Sequence, residues 1–90
     1  DSNPSLVVVE PTLFYKNYAP VLSESDEKYF ADSKDEDLLF LCVAVLKENI
    51  KDSVINLKSP ILIDSEKKKG RQIILENADY PIRYKIFEDR

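Results

Sequence analysis

Apolar residues in this chain are gathered in short runs separated by polar turns. The longest run covers residues 38–46, with nine apolar residues in succession, too short and too closely bracketed by charges to span a bilayer. Periodicity cannot separate a buried strand from a buried helix in such a run, but its β-branched and aromatic side chains favour a strand. We therefore predict a central strand over residues 38–46 that is covered on both faces.

Three shorter patterns predict further strands. Residues 5–10 are dense in β-branched side chains and end before Pro11, which forces the preceding residue toward extended geometry. Residues 60–64 begin with a proline, which suits the first position of a strand, and residues 71–76 are predicted to be their partner. The polar turn between them ends at Gly70, the one glycine of the chain, which we expect to supply the positive φ of a hairpin.

One short helix is predicted after the first strand. Ser23 supplies a hydroxyl cap and Asp26 a carboxylate three residues later, an arrangement that begins a helix. We expect the helix to include Phe30 and to stop near residues 32–33.

The segments without clear periodicity are predicted to be connections. Residues 11–20 are expected to form a loop whose aromatic rings pack on the sheet, the alternative being an aromatic ligand site. Residues 47–54 are expected to form a turn or a single helical turn. The elements together predict an all-β fold, a compact antiparallel, barrel-like sheet with one short helix, in a single domain over residues 1–90.

The charge balance narrows the classes of partner. Thirteen basic and seventeen acidic residues give a formal net charge of −4, which argues against non-specific binding to nucleic acid. The one basic cluster, residues 67–69 with Arg71, lies on the predicted hairpin turn. A solvated loop tip that discourages edge pairing is the favoured interpretation, and a contact to phosphate or to an acidic partner is the alternative.

Candidate catalytic chemistry is sparse. The absence of histidine excludes Ser-His-Asp and Cys-His nucleophile systems within these residues, and a single glycine excludes a phosphate-cradling loop. Cys42 lies among apolar neighbours and is interpreted as a core residue. The acidic residues 32–37 lack the ligand spacing of a calcium loop. We predict no enzyme, no catalytic residue, no cofactor and no metal, and a carboxylate-dependent hydrolase is the weakest alternative.

A binding role is the remaining prediction. Asn56 and Asn77 suit turns, where their side chains satisfy backbone groups, and Tyr80 is expected to pin the C-terminal segment to the sheet. Cationic side chains suit contacts with carboxylates, arginine above all. The candidate partner-binding residues are Asn56, Lys58, Arg71, Tyr80 and Arg83.

Three sequence blocks resemble the C-terminal signature of the flagellar assembly factor FliW family. Residues 56–61 read Asn-Leu-Lys-Ser-Pro-Ile, residues 70–75 read Gly-Arg-Gln-Ile-Ile-Leu, and residues 80–83 read Tyr-Pro-Ile-Arg. The family pattern is Asn-Leu-x-Ala-Pro-Ile, Gly-x-Gln-x-x-Leu and Tyr-Pro-x-Arg. Ser59 replaces the usual Ala, and Tyr84 stands where the family often has His.

The resemblance implies a fold, a function and partners. It implies an antiparallel, barrel-like β fold and a bacterial cytoplasmic regulator that binds flagellin and antagonises CsrA, a translational repressor of flagellin mRNA. The shortness of the apolar runs separately predicts no membrane association. Free flagellin would occupy the regulator and release CsrA. Flagellin is expected to contact sheet edges or the charged C-terminal tail, residues 84–90, by strand or helix docking. The alternative function is a structural or oligomerising β module without a regulatory partner.

The resemblance also implies that N-terminal strands of the family are missing from this sequence. A sheet without them would have an open edge and an uncovered apolar face, which seldom stay bare. We expect either self-association or completion by a separate N-terminal piece.

Overall fold

The computed structural model describes residues 5–76 and 79–87. Its strands and helix are β1 (Ser5–Val9), α1 (Glu24–Tyr29), β2 (Leu38–Leu46), β3 (Val54–Ile55), β4 (Ile61–Asp64), β5 (Lys69–Gln72) and β6 (Tyr84–Lys85). Short 3-10 helices occupy Pro11–Leu13, Asp35–Asp37 and Ile50–Asp52. The turn role predicted for Asn77, and residues 88–90 of the predicted tail, lie outside the described residues. Within the described ranges, no helix has the length and apolar character needed to cross a membrane.

The strands form one antiparallel sheet built around β2. The order is β5-β4-β2-β3-β6, with β1 also paired to β2, and every pairing is antiparallel. The predicted all-β fold with one short helix is therefore confirmed. The sheet does not close on itself among the described strands, so it is open rather than a true barrel.

The two faces of β2 differ in burial. The bounds of this strand match the prediction, but the expected cover on both faces is wrong. Cys42 and Ala44 are fully buried, whereas Val43 and Val45 on the opposite face are half-buried and Leu39 is 40% exposed. The reason is that the described chain supplies a packing layer on one side of the sheet.

That layer and the sheet enclose one hydrophobic core. Tyr18 and Phe30 from the connections share this core with Cys42, so the predictions of packed loop rings and of a core cysteine are confirmed. The Tyr18 hydroxyl donates to the carbonyl of Leu57 at 2.5 Å, and the Cys42 thiol donates to the Tyr18 oxygen at 3.8 Å. Burial raises the pKa of both Tyr18 and Cys42 above their ordinary values.

Helix α1 begins as predicted and ends early. The Ser23 hydroxyl oxygen accepts from the backbone N–H of Asp26 at 3.1 Å, which is the expected N-cap. The last helical residue is Tyr29, so the predicted end near residues 32–33 is wrong. The N–H groups of Ala31 and Ser33 donate three residues back, to the carbonyls of Lys28 and Phe30, so the chain leaves the α-helical pattern after Tyr29. Lys69 Nζ donates to the Tyr29 carbonyl oxygen at 2.8 Å, one of the acceptors at the helix end that lack an intrahelical donor.

The β4–β5 hairpin corrects two predictions. Gly70 does not adopt positive φ; Lys68 does, with φ 55°. The partner strand covers Lys69–Gln72 rather than residues 71–76. The carboxylate of Asp64 accepts from the backbone N–H groups of Glu66 and Lys67, and this closes the turn early enough to place the left-handed residue at Lys68.

Beyond β5 the chain stays alongside the sheet without joining its ladder. The backbone N–H groups of Ile73 and Leu75 donate to the carbonyls of Pro60 and Lys58 at 2.7 and 3.0 Å. Pro60 cannot donate in return because it has no N–H. The regular two-way pairing therefore ends at Gln72.

Candidate partner-binding surface

Arg71 is engaged within the molecule by α1. Its Nε lies 3.5 Å from Asp26 Oδ1, its guanidinium carbon lies 5.1 Å from the centre of the Tyr29 ring, and its Nη1 donates to the Ser25 carbonyl at 3.3 Å. Arg71 is thus a clamp between the hairpin and the helix, with part of its side chain still accessible.

The rest of the basic cluster divides into free and bound side chains. Lys68 is exposed, as a solvated tip requires. Lys69 Nζ lies 3.1 Å from Asp32 Oδ1, and Lys67 Nζ lies 3.9 Å from Asp32 Oδ2. The hydrogen bond from Lys69 lowers the pKa of Asp32 below its usual value. Most of this cluster is therefore neutralised internally.

Asp64 is a buried carboxylate that the sequence interpretation missed. It is fully buried, and its Oδ2 accepts from the Ser33 hydroxyl at 2.5 Å. The backbone N–H of Lys67, followed by the Ser33 hydroxyl, lowers the pKa of Asp64 below its ordinary value. An Asp at the end of an apolar strand, directly before a polar turn, was the available signal, since Asp accepts from backbone groups of turns.

Asn56 shapes the turn that follows β3. Its Oδ1 accepts from the backbone N–H groups of Lys58 and Ser59 at 3.0 and 3.1 Å. The predicted architectural role of Asn56 is confirmed. Lys58 lies in the same turn and accepts a backbone hydrogen bond from Leu75.

Tyr80 belongs to a cluster of aromatic rings beneath the C-terminal segment. Its ring centre lies 4.6 Å from that of Tyr18 and 5.7 Å from that of Tyr15, and both contacts are edge-on. Its hydroxyl accepts from the Ala19 N–H at 2.9 Å, and the Pro81 carbonyl accepts from the Leu57 N–H. Tyr80 therefore pins this segment to the core as predicted, but through the connection after β1 rather than through a strand of the sheet.

A groove on the open face of the sheet brings Asn56 and Arg83 together. Its volume is about 330 Å³. The register of the β2–β3 pair sets Val45 opposite Val54, so these two side chains lie on the same face of the sheet. We call it the open-face groove. Its lining residues are Val43, Val45, Lys47, Val54, Asn56, Ile82 and Arg83.

A second concavity lies between the connection after β1 and the segment after β5. Its volume is about 480 Å³, and the charged residues that line it, Glu76 and Asp79, are both acidic. Tyr80 forms part of its wall. Among the five candidates, then, Asn56 and Arg83 share one groove and Tyr80 faces another. Arg71 lies at the hairpin, and Lys58 lies in the turn after β3.

Besides its valines, the open-face groove contains two residues that the sequence interpretation did not name as candidates. Lys47 and Ile82 line it, and Ile82 is 59% exposed. The alternation of residues 43, 45 and 47 along one strand could have indicated Lys47. Ile82 could not have been found, because a loop residue has no periodicity that shows which way it faces.

In the part of the chain that the structure describes, no group of three or more His, Cys, Asp or Glu residues could hold a metal ion.

Comparison with known proteins identifies a family. The family model described as FliW protein matches residues 1–86. The flagellar assembly factor FliW of Thermotoga neapolitana is 39% identical over 90 residues, which cover 99% of this chain and 60% of that protein. The same factor of Thermotoga maritima is 38% identical with the same coverage. The chain thus spans about 60% of the length of these curated relatives.

A solved structure gives the same fold. The crystal structure of the flagellar assembly factor FliW superposes with a TM-score of 0.84 at 23% sequence identity, covering 92% of this chain and 59% of that one. At this identity the superposition establishes the antiparallel β architecture.

Proposed function

Because this chain belongs to the FliW family, we propose that it acts in flagellar assembly as a protein that binds flagellin and restrains the repressor CsrA. The observation that carries the proposal is the family match over residues 1–86, together with relatives that are named flagellar assembly factors. The regulatory logic is partner exchange. Flagellin that accumulates before export occupies the protein, CsrA is released, and flagellin translation falls.

The two clefts support a protein with two kinds of partner. The cleft with Glu76 and Asp79 is apolar with an acidic rim, whereas the charged residues of the open-face groove, Lys47 and Arg83, are basic. Opposite charges on two surfaces favour partners of opposite character, chiefly through the rate of association. A basic RNA-binding repressor suits the acidic cleft, and the formal net charge of −4 acts in the same direction.

The proposed action is binding in the cytoplasm, without catalysis. The Cys42 thiol, the one cysteine of the chain, is buried and has a raised pKa, so it is a poor nucleophile. Asp64 is engaged by backbone and hydroxyl donors. Cys42 and Asp64 therefore stabilise the fold, and the proposed function depends on the surface of the protein.

A calorimetric titration of this chain with flagellin from the same bacterium tests the proposal. We expect saturable binding near one to one, and we expect added CsrA to be displaced as flagellin rises. A matched titration with heat-unfolded chain controls for non-specific association. If the folded chain binds neither flagellin nor CsrA, the proposal is wrong for these residues. Repeating the titration with a full-length family member would then show whether the binding site lies elsewhere in the family fold.

A second candidate is a self-associating β module, which the exposure of β1 favours. Leu6 and Val8 are 69% and 55% exposed, and among the described strands β1 pairs with β2 alone. An unpaired apolar edge invites a second strand. Sedimentation of the chain over a range of concentrations distinguishes the two: a constant monomer excludes this module, and a dimer unaffected by flagellin favours it.

A further inference from the structure

Residues 23–33 contain α1 and the turn that follows it, and we call them the strap. The main-chain N–H groups of Glu27, Phe30 and Ser33 donate to carbonyls within the strap, at 2.9, 3.2 and 2.9 Å. Between the strap and the described strands, the structure shows no hydrogen bond from main chain to main chain. Displacement of the strap would therefore leave every strand pairing of the sheet intact.

The chain is fixed on both sides of the strap. Before it, the Ala19 N–H donates to the Tyr80 hydroxyl at 2.9 Å. After it, the Asp37 carbonyl accepts from the Ser65 N–H at 2.9 Å. The strap thus lies between two anchored points, residues 19 and 37, and is itself attached to the β4–β5 hairpin through side chains.

One strand of the hairpin holds both halves of the strap. Arg71 holds the first half, since its Nε lies 3.5 Å from Asp26 Oδ1. Lys69 holds the second half, since its Nζ donates to the Tyr29 carbonyl at 2.8 Å and to Asp32 Oδ1 at 3.1 Å. The two attachments use different groups, and both depend on the position of β5.

Phe30 is the buried apolar side chain of the strap. It is 5% exposed and belongs to the hydrophobic core, whereas Tyr29 and Ala31 on either side of it are exposed. Lys69 Nζ lies 5.6 Å from the centre of the Phe30 ring, so the cation that pairs with Asp32 also lies against this ring. Withdrawal of Phe30 from the core and loss of the Lys69 contacts are therefore coupled.

We propose that the strap opens from the hairpin as one unit while the sheet stays paired. Opening withdraws Phe30 from the core and separates three hairpin cations, Lys67, Lys69 and Arg71, from the carboxylates that neutralise them in the closed form. A segment with one buried apolar side chain, attached mainly by partly exposed polar groups, belongs to the least stable part of a fold. The strap thus switches the hairpin between a neutralised and a basic surface, whether or not the proposed function holds.

Hydrogen exchange measured by NMR, residue by residue, tests this opening. Glu27 reports on the first half of the strap and Ser33 on the second half. Asn56 reports on the sheet, because its N–H donates to the Val43 carbonyl of β2 at 2.9 Å. Spectra of each variant establish that it is folded before exchange is measured.

The variants remove one attachment at a time. Lys69→Met and Arg71→Met each replace a cation that holds the strap. Lys68→Met is the matched control, since it removes the same charge from an exposed side chain of the same hairpin that forms no ion pair with a described residue.

We expect Lys69→Met to lower the exchange protection of Glu27 and Ser33 together, roughly fivefold, although the Lys69 hydrogen bonds lie in the second half of the strap. Arg71→Met should likewise lower both. Protection at Asn56 should stay the same in both variants, and Lys68→Met should change none of the three amides.

Two results would overturn the proposal. If Lys69→Met affects only Ser33 and Arg71→Met affects only Glu27, the two halves fray separately. If protection at Asn56 falls as much as that of the strap, the strap opens only when the whole molecule unfolds.

Exchange of the unsubstituted chain at increasing urea concentration is a second measurement that needs no variant. We expect Glu27, Phe30 and Ser33 to share one opening free energy and one urea dependence, both lower than those of Asn56. Three different urea dependences within the strap would contradict opening as one unit.

Discussion

The hydroxyl of Ser33 donates a hydrogen bond to the buried carboxylate of Asp64 across 31 positions of sequence, at 2.5 Å. The other oxygen of Asp64 accepts from the backbone of the β4–β5 turn. One carboxylate therefore joins the connection after α1 to the hairpin. Because Asp64 is fully buried, water cannot replace these partners when one of them is removed.

The loss of stability caused by substituting Asp64 should grow with the number of hydrogen-bond acceptors that the substitution removes. Asp64→Asn retains one carbonyl oxygen for the turn, whereas Asp64→Ala removes every acceptor, so the melting temperature should fall more for Asp64→Ala. Ser33→Ala should have a smaller effect by itself and almost none when added to Asp64→Ala. Differential scanning calorimetry of the set, with the exposed Asp35→Ala as control, checks this order. Additive losses from Ser33→Ala and Asp64→Ala would contradict it.

The stability of the chain should fall in acid because of Asp64. Its pKa is lowered in the folded protein, so the folded state binds fewer protons than the unfolded state in this range. Its contribution is complete above the ordinary carboxyl pKa of about 4 and is lost as the pH falls through the lower folded value. Asp32 should add less, because its side chain is 68% exposed and its ion pairs are screened by solvent.

Urea unfolding at pH 7 and at successive acidic values measures this dependence. We expect the midpoint of the unsubstituted chain to fall more steeply below about pH 5 than that of Asp64→Asn, which cannot titrate at this position. Parallel curves for the two proteins would show that Asp64 is not the responsible group.

Tyr18→Phe isolates one buried hydrogen bond. The substitution keeps the ring contacts with Tyr15 and Tyr80 and removes the donor to the Leu57 carbonyl. The free energy of unfolding should fall by about 1–2 kcal/mol, the cost of an unsatisfied buried acceptor. Tyr29→Phe, at a ring that is 40% exposed, is the control and should change it by less than about 0.5 kcal/mol. Chemical unfolding of both variants gives the comparison, and equal effects would refute the assignment.

Glycine substitutions at two neighbouring positions of the hairpin turn should have opposite effects on stability. Lys68 has φ 55°, a conformation that costs a residue with a side chain about 1 kcal/mol or more, so Lys68→Gly should stabilise the chain by up to about 1 kcal/mol. Lys67→Gly, where φ is not positive, should destabilise it by a similar amount.

Gly70→Ala tests the other half of the same turn. An added Cβ would meet Ile63 Cγ1 at 3.3 Å and the Leu62 carbonyl oxygen at 3.4 Å, and no positive φ has to be relieved. We expect a loss below about 1 kcal/mol, since the half-buried Ile63 side chain can shift. If Gly70→Ala instead lost well over about 1 kcal/mol of stability while Lys68→Gly had no effect, the residue with positive φ would be Gly70 and not Lys68. Thermal unfolding of Lys68→Gly, Lys67→Gly and Gly70→Ala measures both halves of the turn.

Much of this architecture was readable because local chemistry determines it. The β-branched run of β1, the Ser23 cap and the apolar run of β2 each act through neighbours in sequence, and their elements lie where the pattern placed them. The family block that begins at Asn56 could be recognised for a related reason. Asn56 shapes its turn through residues two and three positions later. The identity of the family follows from such local signals.

Tertiary structure decided what depends on distant partners. The carbonyl of Tyr29 at the end of α1 accepts from Lys69, forty positions away, and the connection after α1 is held to the hairpin by Ser33 and Asp64, which are 31 positions apart. The open-face groove joins β2, β3 and the loop before β6, and no periodicity relates those segments. Sequence by itself determined β1, β2, the cap of α1 and the family; only folding decided which charges neutralise one another, because pairing depends on distance in space.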